Sequence, residues 1–440
     1  MKKIISIVCC FFLGISSITA QDLLPLEEAI QMALESNYSI KLQKLDLEKN
    51  QNNISRAVAG QRPTVALSAN YEYGYEDATN QTAPLGEGDS APIALDGTRN
   101  LFTLQNRVSV PIFTGFRGKY TYIQLENNAR LSQAQLNAVV EQVVSLVVQQ
   151  YLEVARLQRS LEIDKEVIEN SLDRLDRVTA QEEFGAGNAL QKLQAEVDLK
   201  TDSANYRTNA LSYQNAKRNL NKTLVKPSTY DFTVETDVQL IGELDYDELK
   251  ADLLRNNTDL QLGNLNIDRS SFQQEIVKSS QYPTLSFYAQ GQYSNINNNA
   301  GFLQSTETLG PSAGVQFSWT LFDAGKRRIE RQNAQIDVQR SQTQQLDLQQ
   351  QLEINLSNAF ASYQDLKNQL SVEQYGLQTF QDNYAKIKDN YDLGLVNATD
   401  LRQAQINLYA AQNRVNNLEG QLKRQEIELL RISGRLKQNY

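Results

Sequence analysis

The sequence contains no histidine. With it go the commonest general base, the usual partner of a nucleophilic serine and the usual zinc ligand, so an enzyme is not expected. The two cysteines, Cys9 and Cys10, lie in an apolar run over residues 4–13 that follows Lys2 and Lys3 and leads to small residues ending at Ala20. That arrangement reads as a secretory leader, residues 1–20, cleaved after Ala20. The run is shorter than the roughly 18–20 residues of a spanning helix, which argues against a membrane anchor. The mature chain is then expected to lack cysteine altogether, which excludes a disulfide framework and thiolate metal sites; no metal or cofactor is expected. Beyond residue 20 no stretch is apolar enough to cross a membrane as a helix, so any insertion has to be as a β-barrel. The acidic balance, −9 overall, disfavours nucleic acid as a partner.

What is present begins with a repeat. Leu34, Asn37 and Pro63 recur 220 residues later as Leu254, Asn257 and Pro283. Further on the offset becomes 209: Phe113 with Phe322, Tyr151 with Phe360, Gly185 with Gly394, Asn188 with Asn397 and Ala195 with Ala404. Two constant offsets separated by a loop-length difference indicate a duplicated unit, residues 21–230 and 231–440.

Inside each copy the apolar period switches. Val65, Leu67, Ala69, Tyr71, Tyr73 and Tyr75 alternate with Ala66, Ser68, Asn70, Glu72 and Gly74, a strand with one apolar, aromatic face. The second copy repeats this with Leu285, Phe287, Ala289 and Tyr293, and return strands are expected over 102–113 and 313–322, the latter with Val315, Phe317, Trp319 and Leu321 on one face. Segments of about ten residues match a tilted membrane strand with apolar side chains toward lipid and polar ones toward a lumen; a soluble hairpin with one buried face gives the same alternation. The connections 76–100 and 294–310 are rich in Gly, Asn, Asp, Glu and Ser and read as exposed loops.

The remaining segments predict helices. Residues 118–183 hold Leu136, Val140, Val143, Val147, Tyr151 and Val154 on one face, and 326–392 repeat the pattern with one interior glycine, Gly376. Some 66 residues make a rod of roughly 100 Å. Returning helices from Ala189 and a helix over 38–60 suggest a wall of paired helices, one continuous and one in two stacked pieces. The short helices 26–36 and 246–256, with segment 227–242, are expected as an outer belt. Four strands cannot close a barrel, and an open edge in lipid leaves backbone groups unpaired, so several chains must share one; three chains, giving twelve strands, are the smallest number that leaves a lumen.

This order of leader, short helix, Pro-led strand pair, long helix, Gly-containing turn and returning helix, in two tandem copies, resembles the TolC family of outer-membrane channels over residues 21–437. The resemblance implies a mainly α chain with membrane β-strands. Long antiparallel helices would form an α-barrel tunnel, and four strands per chain would join a trimeric twelve-stranded outer-membrane β-barrel. It implies a passive efflux duct in the outer membrane with a large periplasmic portion, working as a homotrimer in outer-membrane lipid with a periplasmic adaptor and an inner-membrane pump. A duct for type I protein secretion is the alternative, and a structural coiled-coil protein of the envelope a further one. The helix-to-helix turns Phe184-Gly185-Ala186-Gly187-Asn188 and Leu393-Gly394-Leu395-Val396-Asn397 each offer a left-handed glycine and an Asn cap. By resemblance Gly185, Ala186, Gly187, Gly394, Leu395 and Val396 become adaptor-docking residues. Tyr391, Asp400 and Gln403 take the positions of a pore constriction, Gln403 standing where the family pattern has a second acid.

Overall fold

The structure is a computed structural model that describes residues 23–80, 93–185, 187–237, 242–299 and 305–436; the expected leader lies outside them. In chain order the first expected copy, residues 21–230, gives β1 (Leu23–Leu24), α1 (Leu26–Ser36), α2 (Tyr38–Asn52), β2 (Thr64–Asn80), β3 (Ile93–Phe113), α3 (Arg117–Glu183) and α4 (Ala189–Thr223). The second gives β4 (Thr233–Val234), α5 (Tyr246–Asn256), α6 (Thr258–Lys278), β5 (Thr284–Asn298), β6 (Ser305–Ser318), α7 (Lys326–Asp392) and α8 (Ala398–Ser433). Two compact units result. A helical unit takes in Asn137–Asn257, Gln351 onward and the segment up to Leu42; a sheet unit takes in Gln43–Leu136 and Thr258–Gln350. Among the described residues no helix is long and apolar enough to cross a membrane.

The helical unit has a core of its own. Val147, Tyr151 and Val154 of α3, Leu220 of α4, Leu249 and Leu253 of α5 and Leu356 of α7 are fully buried, so the three-and-four spacing on α3 does face inward. The Tyr151 hydroxyl donates to Leu24 O at 2.8 Å and accepts from Glu235 N at 3.0 Å, tying α3 to the ends of β1 and β4, which pair in parallel. Burial pushes that hydroxyl up to about 12. The repeated asparagines explain themselves here. Asn37, between α1 and α2, donates from Nδ2 to Thr223 O at the end of α4, and Asn257, between α5 and α6, donates to Ile432 O at the end of α8, both at 2.9 Å. Each occupies a buried helix-to-helix joint and satisfies a carbonyl that the last turn of a helix leaves without a partner.

The sheet unit is a four-stranded antiparallel sheet in the order β2-β3-β5-β6. Strands from the two halves of the chain meet in its middle, β3 against β5, with one irregularity at Pro111–Phe113. β2 and β6 have no further strand partner among the described residues.

Three expectations need correction. The helix expected over 38–60 ends at Asn52, because the Ser55 hydroxyl takes the Ala57 amide and residues 53–61 close into turns ending at the left-handed Gly60. The strands are not ten residues long but 17, 21, 15 and 14. They consume most of the expected loops 76–100 and 294–310, since composition does not tell a largely polar strand from a loop. β6 stops at Ser318, leaving Trp319, Leu321 and Phe322 beyond the strand; the Trp319 indole donates to Gln281 O at 3.2 Å.

Candidate functional site

Two places are candidates for the functional site: the faces of the sheet and the turns at the ends of the long helices. On one face of the sheet lie Val65, Leu67, Tyr71, Tyr73, Phe102, Leu104, Val108, Phe287, Val315 and Phe317, all exposed, Val65 at 76% and Leu67 at 74%. The register puts Ser68, Asn70, Thr103, Gln105, Arg107, Gln290, Gln292, Thr308, Ser312 and Gln316 on the other. Aromatic rings gather at both levels of the apolar face, Phe102 with Tyr293 in one place and Phe113, Phe116 and Tyr282 in edge-to-face contact where the strands give way to helices. An apolar band bounded by aromatic side chains, backed by a polar face, is the pattern of a strand between hydrocarbon and water.

The turns belong to the helical unit. Gly185 and Gly394 take φ of 75° and 76°, and Leu395 N and Gly394 N close the end of α7 on Asn390 O and Tyr391 O. In the first turn Gly187 N reaches back to Gln181 O at 2.9 Å, so close that a Cβ on Gly187 would meet Glu182 N at 3.0 Å. The returning helices are capped alike: Asn188 Oδ1 accepts from Gln191 N and Asn397 Oδ1 from Asp400 N, each at 2.9 Å. Phe184, Leu190, Leu393 and Leu395 stand out from these turns, 70–86% exposed.

Above the turns an ionic cluster joins three helices. Asp202 on α4 accepts from Arg402 of α8 at 2.7 Å and from the Ser171 hydroxyl of α3 at 2.6 Å, and Asp198 pairs with Arg174 of α3. The Arg174 and Asp202 side chains are 5% and 6% exposed. Two arginines and two aspartates balance, as charges taken this far from water must. Arg177 of α3 pairs with Asp392 at the end of α7, and this hydrogen bond raises the Arg177 pKa above its ordinary value.

The sequence profile of the outer membrane efflux protein family matches residues 29–224 and 249–435. The chain belongs to that family. Among solved structures its fold is similar to the CmeC outer membrane channel of Campylobacter jejuni (TM-score 0.74, 16% identity, 93% of this chain and 86% of that one). It is similar too to the outer membrane protein VceC of Vibrio cholerae (0.71, 16%, 93% and 96%) and to the open state of the Neisseria gonorrhoeae MtrE outer membrane channel (0.68, 15%, 93% and 89%). No curated protein matches the sequence. The expected fold class holds: this efflux protein is mainly helical with four antiparallel strands, in the fold of outer membrane efflux channels with their helical tunnel.

The sequence-derived site residues of the efflux protein fall as follows. Gly185, Gly187, Gly394, Leu395 and Val396 form the two turns, and Ala186 lies outside the described residues. Asp400 and Gln403 are exposed on the first turns of α8, Gln403 donating to Asn407 at 3.0 Å. Tyr391 is half-buried with its hydroxyl enclosed and without a hydrogen bond among the described residues, next to the Arg177–Asp392 pair. The cluster of Arg174, Asp198, Asp202 and Arg402 escaped sequence reasoning. Its one visible sign is the i,i+4 spacing of Asp198 and Asp202, which sets two acids on one helical face.

Proposed function

We propose that this efflux protein is the passive outer-membrane exit duct of a tripartite export system. Three copies would close a twelve-stranded barrel and carry it into the periplasm as a helical tunnel. The observation that carries the reading is the sheet. Its apolar face is solvent-exposed and its two edge strands have no further strand partner among the described residues, a state that costs several kcal/mol per backbone group in lipid unless other copies continue the ladder. A periplasmic adaptor would dock on the turns at Gly185–Gly187 and Gly394–Val396, where the exposed Phe184, Leu393 and Leu395 offer apolar contact, and the energy would come from an inner-membrane pump. Tyr391, Asp400 and Gln403 would form the constriction, with three Asp400 carboxylates around the axis attracting cations.

The test is the mass and conductance of the detergent-purified protein. A species of three chains that opens discrete channels in a planar bilayer is expected. A monomer without conductance would sink the proposal and favour a structural envelope rod. A deletion strain that retains a fluorescent dye would assign small-molecule efflux; unchanged retention with lost secreted proteins would assign secretion.

A further inference from the structure

The polar face of the sheet carries a guanidinium in a built setting. Arg107 of β3 lies level with Ala66 of β2 and Gln290 of β5. Its guanidinium stacks over the Tyr288 ring at 4.5 Å and donates from Nη2 to Gln316 Oε1 at 3.4 Å. Tyr288 in turn lies across Gly314, its register partner on β6, so closely that a Cβ there would stand 2.8 Å from the phenol oxygen. Three strands therefore cooperate: the glycine leaves room for the tyrosine, and the tyrosine ring supports the arginine. No carboxylate among the described residues pairs with Arg107. On the same face the neighbouring levels hold Ser68, Thr103, Gln105, Ser109, Gln292 and Ser312, all neutral. The nearest described acid on it, Glu72, sits level with Leu101, six residues up the strand and so about 20 Å away. That exceeds the Debye length of about 8 Å in physiological salt, so Glu72 does not neutralise Arg107.

We infer that Arg107 makes the barrel stretch of the duct selective for anionic solutes, three copies forming a cationic ring around the lumen. The inference rests on the trimeric barrel proposed above. Twelve strands at about 4.8 Å spacing, tilted by about 40°, enclose a backbone radius of about 12 Å. Side chains reaching inward from that wall come within about one Debye length of anything that passes. The ring attracts carboxylate-, sulfonate- or phosphate-bearing solutes and repels cations, the opposite sense to a ring of Asp400. A solute meets two filters of different sign in sequence.

Reversal potentials under a KCl gradient across a planar bilayer test this with chloride and potassium as the probes. Arg107→Gln is expected to shift the chloride-to-potassium permeability ratio about threefold toward potassium in dilute salt, the shift shrinking as ionic strength rises. Arg107→Lys is expected to keep the ratio near that of the unaltered protein, because it keeps the charge. Gln290→Glu sets a carboxylate beside Arg107 without removing it and is expected to reproduce the shift, which covers the case in which Arg107→Gln does not assemble. Conducting channels of Arg107→Gln or Gln290→Glu with the original reversal potential would overturn the inference and leave the duct standing. No conductance from the unaltered protein would overturn the duct itself, and the inference with it.

Discussion

The two units of this efflux protein use the same kinds of residue in opposite ways. In the helical unit Val147, Tyr151, Leu249 and Leu356 are wholly buried by other parts of the chain. In the sheet unit Val65, Leu67, Val315 and Phe317 are more than 60% exposed, on a face left open among the described residues. The helical unit supplies its own apolar environment, at roughly 25 cal/mol for each Å² removed from water. In the proposed duct the sheet's apolar face receives one from hydrocarbon. Its burial becomes favourable only in a membrane, and its edges are satisfied only by further strands.

If that contrast is right, substitutions in the two units should fail differently. The largest loss is expected in the helical unit from Arg402→Ala, which strands the buried Asp202 carboxylate without its ion pair and costs about 3 kcal/mol. Urea denaturation followed by circular dichroism would measure it, and replacing Asp202 by an apolar residue as well should recover much of the loss; an unchanged midpoint for Arg402→Ala would remove the cluster from the account. In the sheet unit the same measurement is blind to the important variable. Leu67→Arg places a charge on the lipid side and is expected to cost about 2–4 kcal/mol of membrane insertion, read as lost protein in the outer-membrane fraction. Its neighbour Ser68→Arg points to the other face and should insert normally. Equal behaviour of the two variants would mean that the faces are misassigned. A smaller effect is expected at the joints: Asn257→Ala and Asn37→Ala each leave a carbonyl at a helix end without its donor, about 1–3 kcal/mol. Asn257 should be the more costly because it is the more deeply buried, 2% exposed against 9%.

The contrast also marks what could be read without coordinates. α1 and α5 begin and end where their apolar periodicity does, and α3 runs unbroken because nothing between residues 119 and 184 is glycine or proline. Gly185 and Gly394 announced the turns, whereas the match of Asn37 with Asn257 marked only a repeat and not the joint that each side chain bridges. The end of α2 was not legible, since it depends on one serine hydroxyl competing for a backbone amide. Nor was the length of the strands. The ionic cluster needed the rotational setting of three helices: Arg174 and Asp198 are 24 residues apart, Arg402 and Asp202 are 200, and periodicity within a helix does not say which faces meet. Nothing in the sequence pattern singled out Arg107, because its support comes from Tyr288 and Gly314 on strands far along the chain.

The smallest effect separates two acids of the same helical unit. Asp202 sits between Arg402 and Ser171, whereas Asp164 on α3 has Asn209 Nδ2 at 2.7 Å and pairs with no cation among the described residues. Burial first, and then the Asp202 charge, raise the Asp164 carboxyl above its ordinary value, and the Asn209 hydrogen bond only partly opposes them. A carboxyl whose folded-state pKa lies above its unfolded one holds its proton more tightly in the native state. Stability therefore falls as pH rises through that window, and the deficit persists at neutral pH. Asp164→Asn keeps an oxygen to accept from Asn209 and removes the charge. The variant should be slightly more stable than the parent near neutrality and lose the advantage below the ordinary carboxyl range near pH 4. Asp202→Asn should instead be less stable near neutrality, because it discards the ion pair. Denaturation midpoints of both variants across that pH range decide the matter; a neutral-pH loss for Asp164→Asn would mean that Asp164 has a cationic partner in the assembled duct, supplied by a neighbouring copy.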